Sequence, residues 1–193
     1  MMKKFTATPA PRKPRADAQR NRQRILEVAK AVFTRRGAEA SLDEIAKLAE
    51  VGPGTLYRHF PTRDDLLVAV YRSEVERLGE VQRKFSAELP PAEALRQWLL
   101  VFIDYLQTKK LVGPALNAMV GGPSQVYEHS SNVLTETTTT LAANAIASGD
   151  LSKDVDPMDM LRAIYGVSTA AAGDDWPVKA RRFVDVLISG SRP

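Results

Sequence analysis

Residues Ile45–Phe60 read IAKLAEVGPGTLYRHF, and no other stretch of the chain limits its possible folds as tightly. Ile45, Ala46 and Ala49 place small and apolar side chains on one helical face. Val51-Gly52-Pro53-Gly54 then forces a turn. Thr55-Leu56-Tyr57-Arg58-His59-Phe60 resumes as one to two helical turns bearing hydroxyl, phenol, guanidinium and imidazole groups. Two short helices about a tight turn, the second rich in hydrogen-bonding side chains, suit a protein that lays a helix in a DNA major groove.

The rest of the chain agrees with an all-α fold. From Asn21, the residues Ile25, Val28, Ala29, Val32 and Phe33 share one helical face, and Arg35-Arg36 followed by Gly37 ends that helix. Ser41 with Glu44 reads as a capping box that opens a second helix through Glu50. Gly52 caps the third helix, with Pro53 at its first position. Pro61 breaks the chain, and Thr62-Arg63-Asp64-Asp65 starts a fourth helix to about Glu88, where Leu89-Pro90-Pro91 stops it. Further helices are expected over Ala94–Lys109, Pro114–Val120, Gln125–Ser148 with Gly149 as its stop, Asp156–Ala172 and Pro177–Ser189, about nine in total. Thr137–Thr140 is a β-branched run that admits a strand, but its apolar flanks favour helix. The expected organisation is a flexible basic arm over 1–18, a three-helix helix-turn-helix head over 19–62, and a larger helical domain over 63–193.

Charge is distributed unevenly. Residues 1–60 hold 13 of the 27 Lys/Arg and 6 of the 23 Asp/Glu, a net +7, which leaves the remainder at −3. That split suggests a polyanion-binding head on a body with another task, although a basic tail alone would also produce it. The chain has no cysteine, so a disulfide framework and a thiolate zinc site are excluded. No run reaches the roughly 18–20 apolar residues of a membrane span. The basic N-terminus is not followed by an apolar signal core. A soluble, cytoplasmic protein is expected. No G-x-S-x-G, G-x-x-x-x-G-K, H-E-x-x-H or G-x-G-x-x-G occurs. His59 and His129 lie far apart, and Asp150, Asp154 and Asp156 lack calcium-loop spacing. No catalytic set, cofactor or metal is therefore expected.

The segment Ile25–Leu67 resembles the DNA-binding domain of TetR-family transcriptional regulators. The resemblance rests on Ile25-Leu26, Ala29, Phe33, Gly37, Ile45-Ala46, Ala49, Val51, Gly54-Thr55-Leu56-Tyr57, His59-Phe60 and Leu66-Leu67. It covers about a quarter of the chain, and the length and helical remainder fit the family's usual build. Two positions depart from the common pattern: Glu50 stands where a turn glycine is usual, and Gly52 where a serine is usual. A left-handed backbone at Glu50 would cost about 1 kcal/mol.

The resemblance implies a double-stranded DNA operator as partner, read by a homodimer with one head on each half of a rough palindrome. Tyr57 and Arg58 are expected to face the groove, Arg58 with a bidentate bond to guanine and Tyr57 against phosphate or a thymine methyl. Gly54 and Thr55 open that helix, and Thr55 is placed for a base or a phosphate. His59 is either a phosphate contact or a packing histidine, whereas Leu56 and Phe60 read as core. Arg63 and Ser41 are expected on phosphate, and Arg12, Lys13 and Arg15 in the minor groove or as a steering charge.

In the second domain, Trp98, Phe102, Tyr105, Met119, Tyr127, His129, Met158 and Tyr165 are either ordinary core or the lining of a cavity for a small-molecule effector of unknown identity. His129 and Glu128 are its expected polar contacts. Leu161, Ile164 and Ser168 on one late helix and Phe183, Val184, Leu187 and Ile188 on the last are expected to form the dimer interface as a four-helix bundle. The combined reading is a ligand-responsive homodimeric regulator, a repressor that a small molecule releases from its operator. A DNA-binding regulator without an effector and a helical enzyme carrying a helix-turn-helix remain as alternatives.

Overall fold

The computed structural model describes residues 14–36, 40–117, 124–170, 173 and 175–193. Among them are eight helices: α1 (Pro14–Arg36), α2 (Leu42–Leu48), α3 (Pro53–His59), α4 (Arg63–Glu88), α5 (Pro91–Asn117), α6 (Ser124–Ala147), α7 (Pro157–Ala170) and α8 (Trp176–Gly190). No strand occurs among the described residues. α1, α2 and α3 pack on one another, and α1 also leans on α4 and α5. α4 lies along α5 and α6, while α7 and α8 close the far side of α5. One apolar cluster runs from Ile25 to Ile188, so head and body share a core through α4.

α1 begins at Pro14, earlier than the hydrophobic periodicity indicates. Proline suits the first position of a helix because its missing N–H would have no partner there, and Asp17 favours the first turn. Gly37 and residues 1–13 lie outside the described residues. The expected count of about nine is close to the eight helices among the described residues; the difference arises because Ala94–Lys109 and the helix expected from Pro114 are one helix. Gly113, which precedes Pro114, has no Cβ to collide with the proline ring, and the buried Val112 and Leu116 keep the apolar face continuous.

The capping box is also relocated. Ser41 occupies the N-cap of α2, but its side chain makes no capping bond, and Glu44 instead pairs with Arg36 of α1 at 3.1 Å. The box forms at α4: the Asp65 N–H donates to Thr62 Oγ1 at 3.1 Å, and the Thr62 N–H donates to Asp65 Oδ2 at 3.0 Å. The threonine run is helical. Thr137, Thr138 and Thr140 donate their hydroxyls to carbonyls one turn back at 2.7, 2.6 and 2.8 Å, which satisfies them inside the helix.

α2 and α6 end in the same way. The Glu50 N–H donates to the Lys47 carbonyl and the Val51 N–H to the Ala46 carbonyl. The Gly149 N–H likewise donates to Ile146 and the Asp150 N–H to Ala145. This paired pattern needs a left-handed residue after the cap. Gly149 supplies it at φ 79°, but at α2 the residue is Glu50, with φ 52°. The Glu50 carboxylate lies 3.3 Å from Arg24, but both side chains are exposed and the pair stabilises little. Glu50→Gly is therefore expected to stabilise the protein by about 1 kcal/mol, raising the thermal midpoint by about 2–4 °C. A lowered midpoint would show that the Arg24 pair outweighs the strain.

Candidate functional site

The second helix of the helix-turn-helix presents a divided surface. Leu56 is fully buried and Phe60 nearly so, which anchors α3 against the core. Gly54, Tyr57 and Arg58 are exposed, and Thr55 and His59 are half-buried beside them. Neither Tyr57 nor Arg58 has a side-chain hydrogen bond or ion pair among the described residues. A Cβ added at Gly52 or Gly54 would meet nothing within 4 Å, and neither has a positive φ. No intramolecular contact accounts for glycine at either position, and the absent side chains leave room for something outside the protein to approach.

Among the described residues two buried nitrogens near this surface lack partners, His59 Nε2 and Arg63 Nη2. Burial, then the charges of Arg58 and Arg22, lower the pKa of His59 below its ordinary value and favour the neutral ring. Arg22 also lies over the Phe60 ring at 5.6 Å, a neighbour that the sequence reading did not name. Arg63, expected on phosphate, is largely engaged inside the head. Its Nη1 donates to the Ala40 carbonyl at 3.0 Å and its guanidinium lies 5.4 Å from the centroid of Phe33. Among the described residues its buried Nη2 has no partner. Ser41 is exposed at the start of α2.

The body contains a cleft between α5, α6 and α7. It has two lobes, of about 240 Å³ and about 450 Å³, which share Leu106, Lys109 and Tyr165. Phe102, Tyr105 and Met158 line the first lobe and Tyr127 the second. Five residues expected at an effector site, Phe102, Tyr105, Tyr127, Met158 and Tyr165, are thus brought together. Trp98 is not among them. It is fully buried, donates its indole N–H to the Leu78 carbonyl at 3.0 Å and stacks on Phe102. His129 and Glu128 are exposed on α6 and line neither lobe. Met119 lies outside the described residues. The reading also missed Lys109, whose ammonium lies between Tyr127 and Tyr165.

A hydroxyl chain links this cleft to α4. The Tyr71 and Tyr105 hydroxyls share a hydrogen bond of 2.7 Å, and Tyr71 also donates to Ser130 Oγ at 3.0 Å. Ser130 in turn donates to the Tyr127 carbonyl at 2.9 Å. Burial, reinforced by Tyr71, raises the pKa of Tyr105, so its phenol stays protonated. Nearer the head, Lys30 of α1 pairs with the buried Glu74 of α4 at 2.5 Å. α4 therefore touches both the reading head and the lining of the cleft.

The residues expected at a dimer interface need correction. Ile164 and Val184 are fully buried within the chain, and Leu161, Ser168 and Ile188 nearly so. They belong to the protomer's own core, with Leu161 also bordering the cleft. Only Phe183 and Leu187 stay half-buried. The outward face of α8 carries Val178 and Val186, which are 53% and 62% exposed.

Comparison with known proteins places these features in a family. Residues 25–70 match the family described as bacterial regulatory proteins, tetR family, and residues 90–193 match the SbtR-like transcriptional regulator C-terminal domain. The HTH-type transcriptional regulator AcrR of Shigella flexneri is 34% identical over 102 residues, covering 51% of this chain and 47% of that protein. The chain thus spans about half the length of that curated relative or less. A TetR transcriptional regulator from Streptomyces coelicolor has a similar solved structure, with a TM-score of 0.80 and 40% identity, covering 89% of this chain and 98% of that one. A TetR regulatory protein from Mycobacterium vanbaalenii is similar at a TM-score of 0.74 and 32% identity, covering 93% and 99%.

Proposed function

This chain belongs to the TetR family of DNA-binding transcriptional regulators, which are not enzymes, and from that premise we propose that it is a homodimeric repressor released from a palindromic operator by a small molecule. The observation that carries the DNA reading is the face of α3. Gly54, Tyr57 and Arg58 stand exposed there without internal work, next to the unpartnered nitrogens of His59 and Arg63. Phosphate oxygens would satisfy those two nitrogens once their side chains turn outward on the operator, while Arg58 and Tyr57 read base edges. In the proposed division, residues 19–62 read DNA, residues 63–193 bind effector and pair, and residues 1–18 add a basic arm whose end merges into α1. Work on an operator would put the protein in the cytoplasm.

The effector reading is supported by the cleft and by its hydroxyl link to α4. A molecule that displaces Tyr105 would disturb its bond to Tyr71 on the helix that also carries Glu74. Ligand affinity would then differ between two settings of α4, and that difference sets the size of the switch. Selection of binding duplexes from a random pool, followed by release with candidate small molecules, tests the whole reading. Equal binding of selected and random duplexes at moderate salt would overturn it. Tyr105→Phe removes the link and should leave effector-free operator affinity within about twofold. The release produced by effector should weaken by about five- to a hundredfold, the scale of a typical allosteric coupling. Unchanged release in that variant would remove the hydroxyl chain from the mechanism.

A further inference from the structure

We propose that the cleft between α5, α6 and α7 takes a small amphipathic organic anion, its acidic head held by the Lys109 ammonium and its apolar body lying on Phe102, Leu106, Leu134 and Met158. The proposal rests on the effector reading above and adds the chemical class. Phe102, Leu106 and Lys109 recur at helical spacing on α5, so Lys109 continues an apolar stripe into the cleft. Its Nζ lies 5.4 Å from the centroid of Tyr127 and 6.0 Å from that of Tyr165. Ring faces attract a cation but leave its three N–H donors without a strong acceptor.

Charge complementarity selects the occupant. Among the described residues no Asp or Glu lines either lobe. Three cations among them border the cleft, and two have partners of their own. Arg162 pairs with Asp159 at 2.6 Å and Asp156 at 3.5 Å, while Lys110 donates to the Ser168 carbonyl and sits over Trp176. Among the described residues Lys109 has neither an ion pair nor a hydrogen bond. Burial lowers its pKa, the mark of an ammonium short of countercharge. An entering carboxylate or sulfonate would supply that charge in a partly desolvated site, where charge-assisted bonds are strong. The lobe volumes suit a small molecule and not a protein segment.

The test uses the full chain with two fluorescent probes that share one skeleton, the anionic anilinonaphthalene sulfonate and the uncharged N-phenylnaphthylamine. Lys109→Met should weaken the sulfonate by about ten- to a hundredfold, whereas Lys109→Arg should keep most of its affinity. The uncharged probe should bind all three proteins within about twofold. Decanoate should displace the sulfonate at least about tenfold better than decanol does. Lys109→Met should melt at or above the wild type, and Lys109→Gln replaces it should it fail to fold. Equal losses for both probes, an unchanged sulfonate affinity, or no sulfonate binding to the wild type would each overturn the proposal. A labelled operator duplex in the same titrations separates this from the parent reading. Sulfonate or decanoate that binds through Lys109 without releasing operator supports the site and counts against effector control alone.

Discussion

Arg58→Ala is expected to lower affinity for the full operator by roughly thirty- to twenty-five-thousandfold while leaving the melting temperature essentially unchanged. A bidentate arginine–guanine contact contributes about 1–3 kcal/mol. A homodimer on a palindrome makes that contact twice, so the loss is about 2–6 kcal/mol, which gives the stated range. Stability should hold because Arg58 is exposed on α3 and has no side-chain partner among the described residues. A shuffled duplex should lose far less, since it forfeits only the sequence-independent charge. Anisotropy titrations of operator and shuffled duplexes at one salt concentration read both numbers. Equal, small losses on the two would mean that Arg58 touches only the backbone and that another residue reads the sequence.

Local signals carried much of this architecture. Ile25, Ala29, Val32 and Phe33 share a buried face in the sequence pattern and in the fold, and Gly149 stops α6 at a positive φ. Signals that depend on a neighbouring helix were not legible. Ser41 and Glu44 have the spacing of a capping box, but Glu44 is drawn to Arg36 of α1. Resemblance points Arg63 at phosphate, yet Ala40 and Phe33 engage its guanidinium inside the head. Aromatic content could not separate Trp98, which satisfies its N–H on Leu78, from Phe102 and Tyr105, which reach the cleft. A signal for Lys109 did exist: a lysine in phase with Phe102 and Leu106 on an apolar helix face.

Periodicity also shows which residues share a face without showing which face turns inward. α7 and α8 each carry more than one apolar face, and Ile164, Val184 and Ile188 went to the protomer's own core. The partner subunit of the proposed homodimer would be left with the other faces. On α8, Arg181 and Asp185 are tied back to Asp104 and Arg96 of α5, which leaves Val178 and Val186 outward with the half-buried Phe183 and Leu187. On α7, Gly166 is half-buried, and a Cβ there would meet nothing within 4 Å, so another helix can approach closely. In the proposed homodimer these faces, paired about a two-fold axis, would make a four-helix bundle in which each substitution acts twice.

Val186→Glu is accordingly expected to split the dimer without unfolding the chain. The new carboxylate is solvated in the lone protomer, where Val186 is 62% exposed. In the dimer it would be buried without a partner, at a cost of about 3–5 kcal/mol. Sedimentation at micromolar concentration should then give half the wild-type mass with an unchanged helical spectrum. Operator affinity should fall at least about a hundredfold, because a lone head loses both the second half-site and the effective concentration that linkage supplies. Ile164→Glu is the contrasting control. Ile164 has no exposed surface in the protomer, so a carboxylate there should unfold the chain and not merely separate subunits. If Val186→Glu remains a dimer that grips operator, the subunits meet elsewhere. A wild-type chain that is monomeric at micromolar concentration and still binds a full operator tightly would remove the two-fold reading altogether.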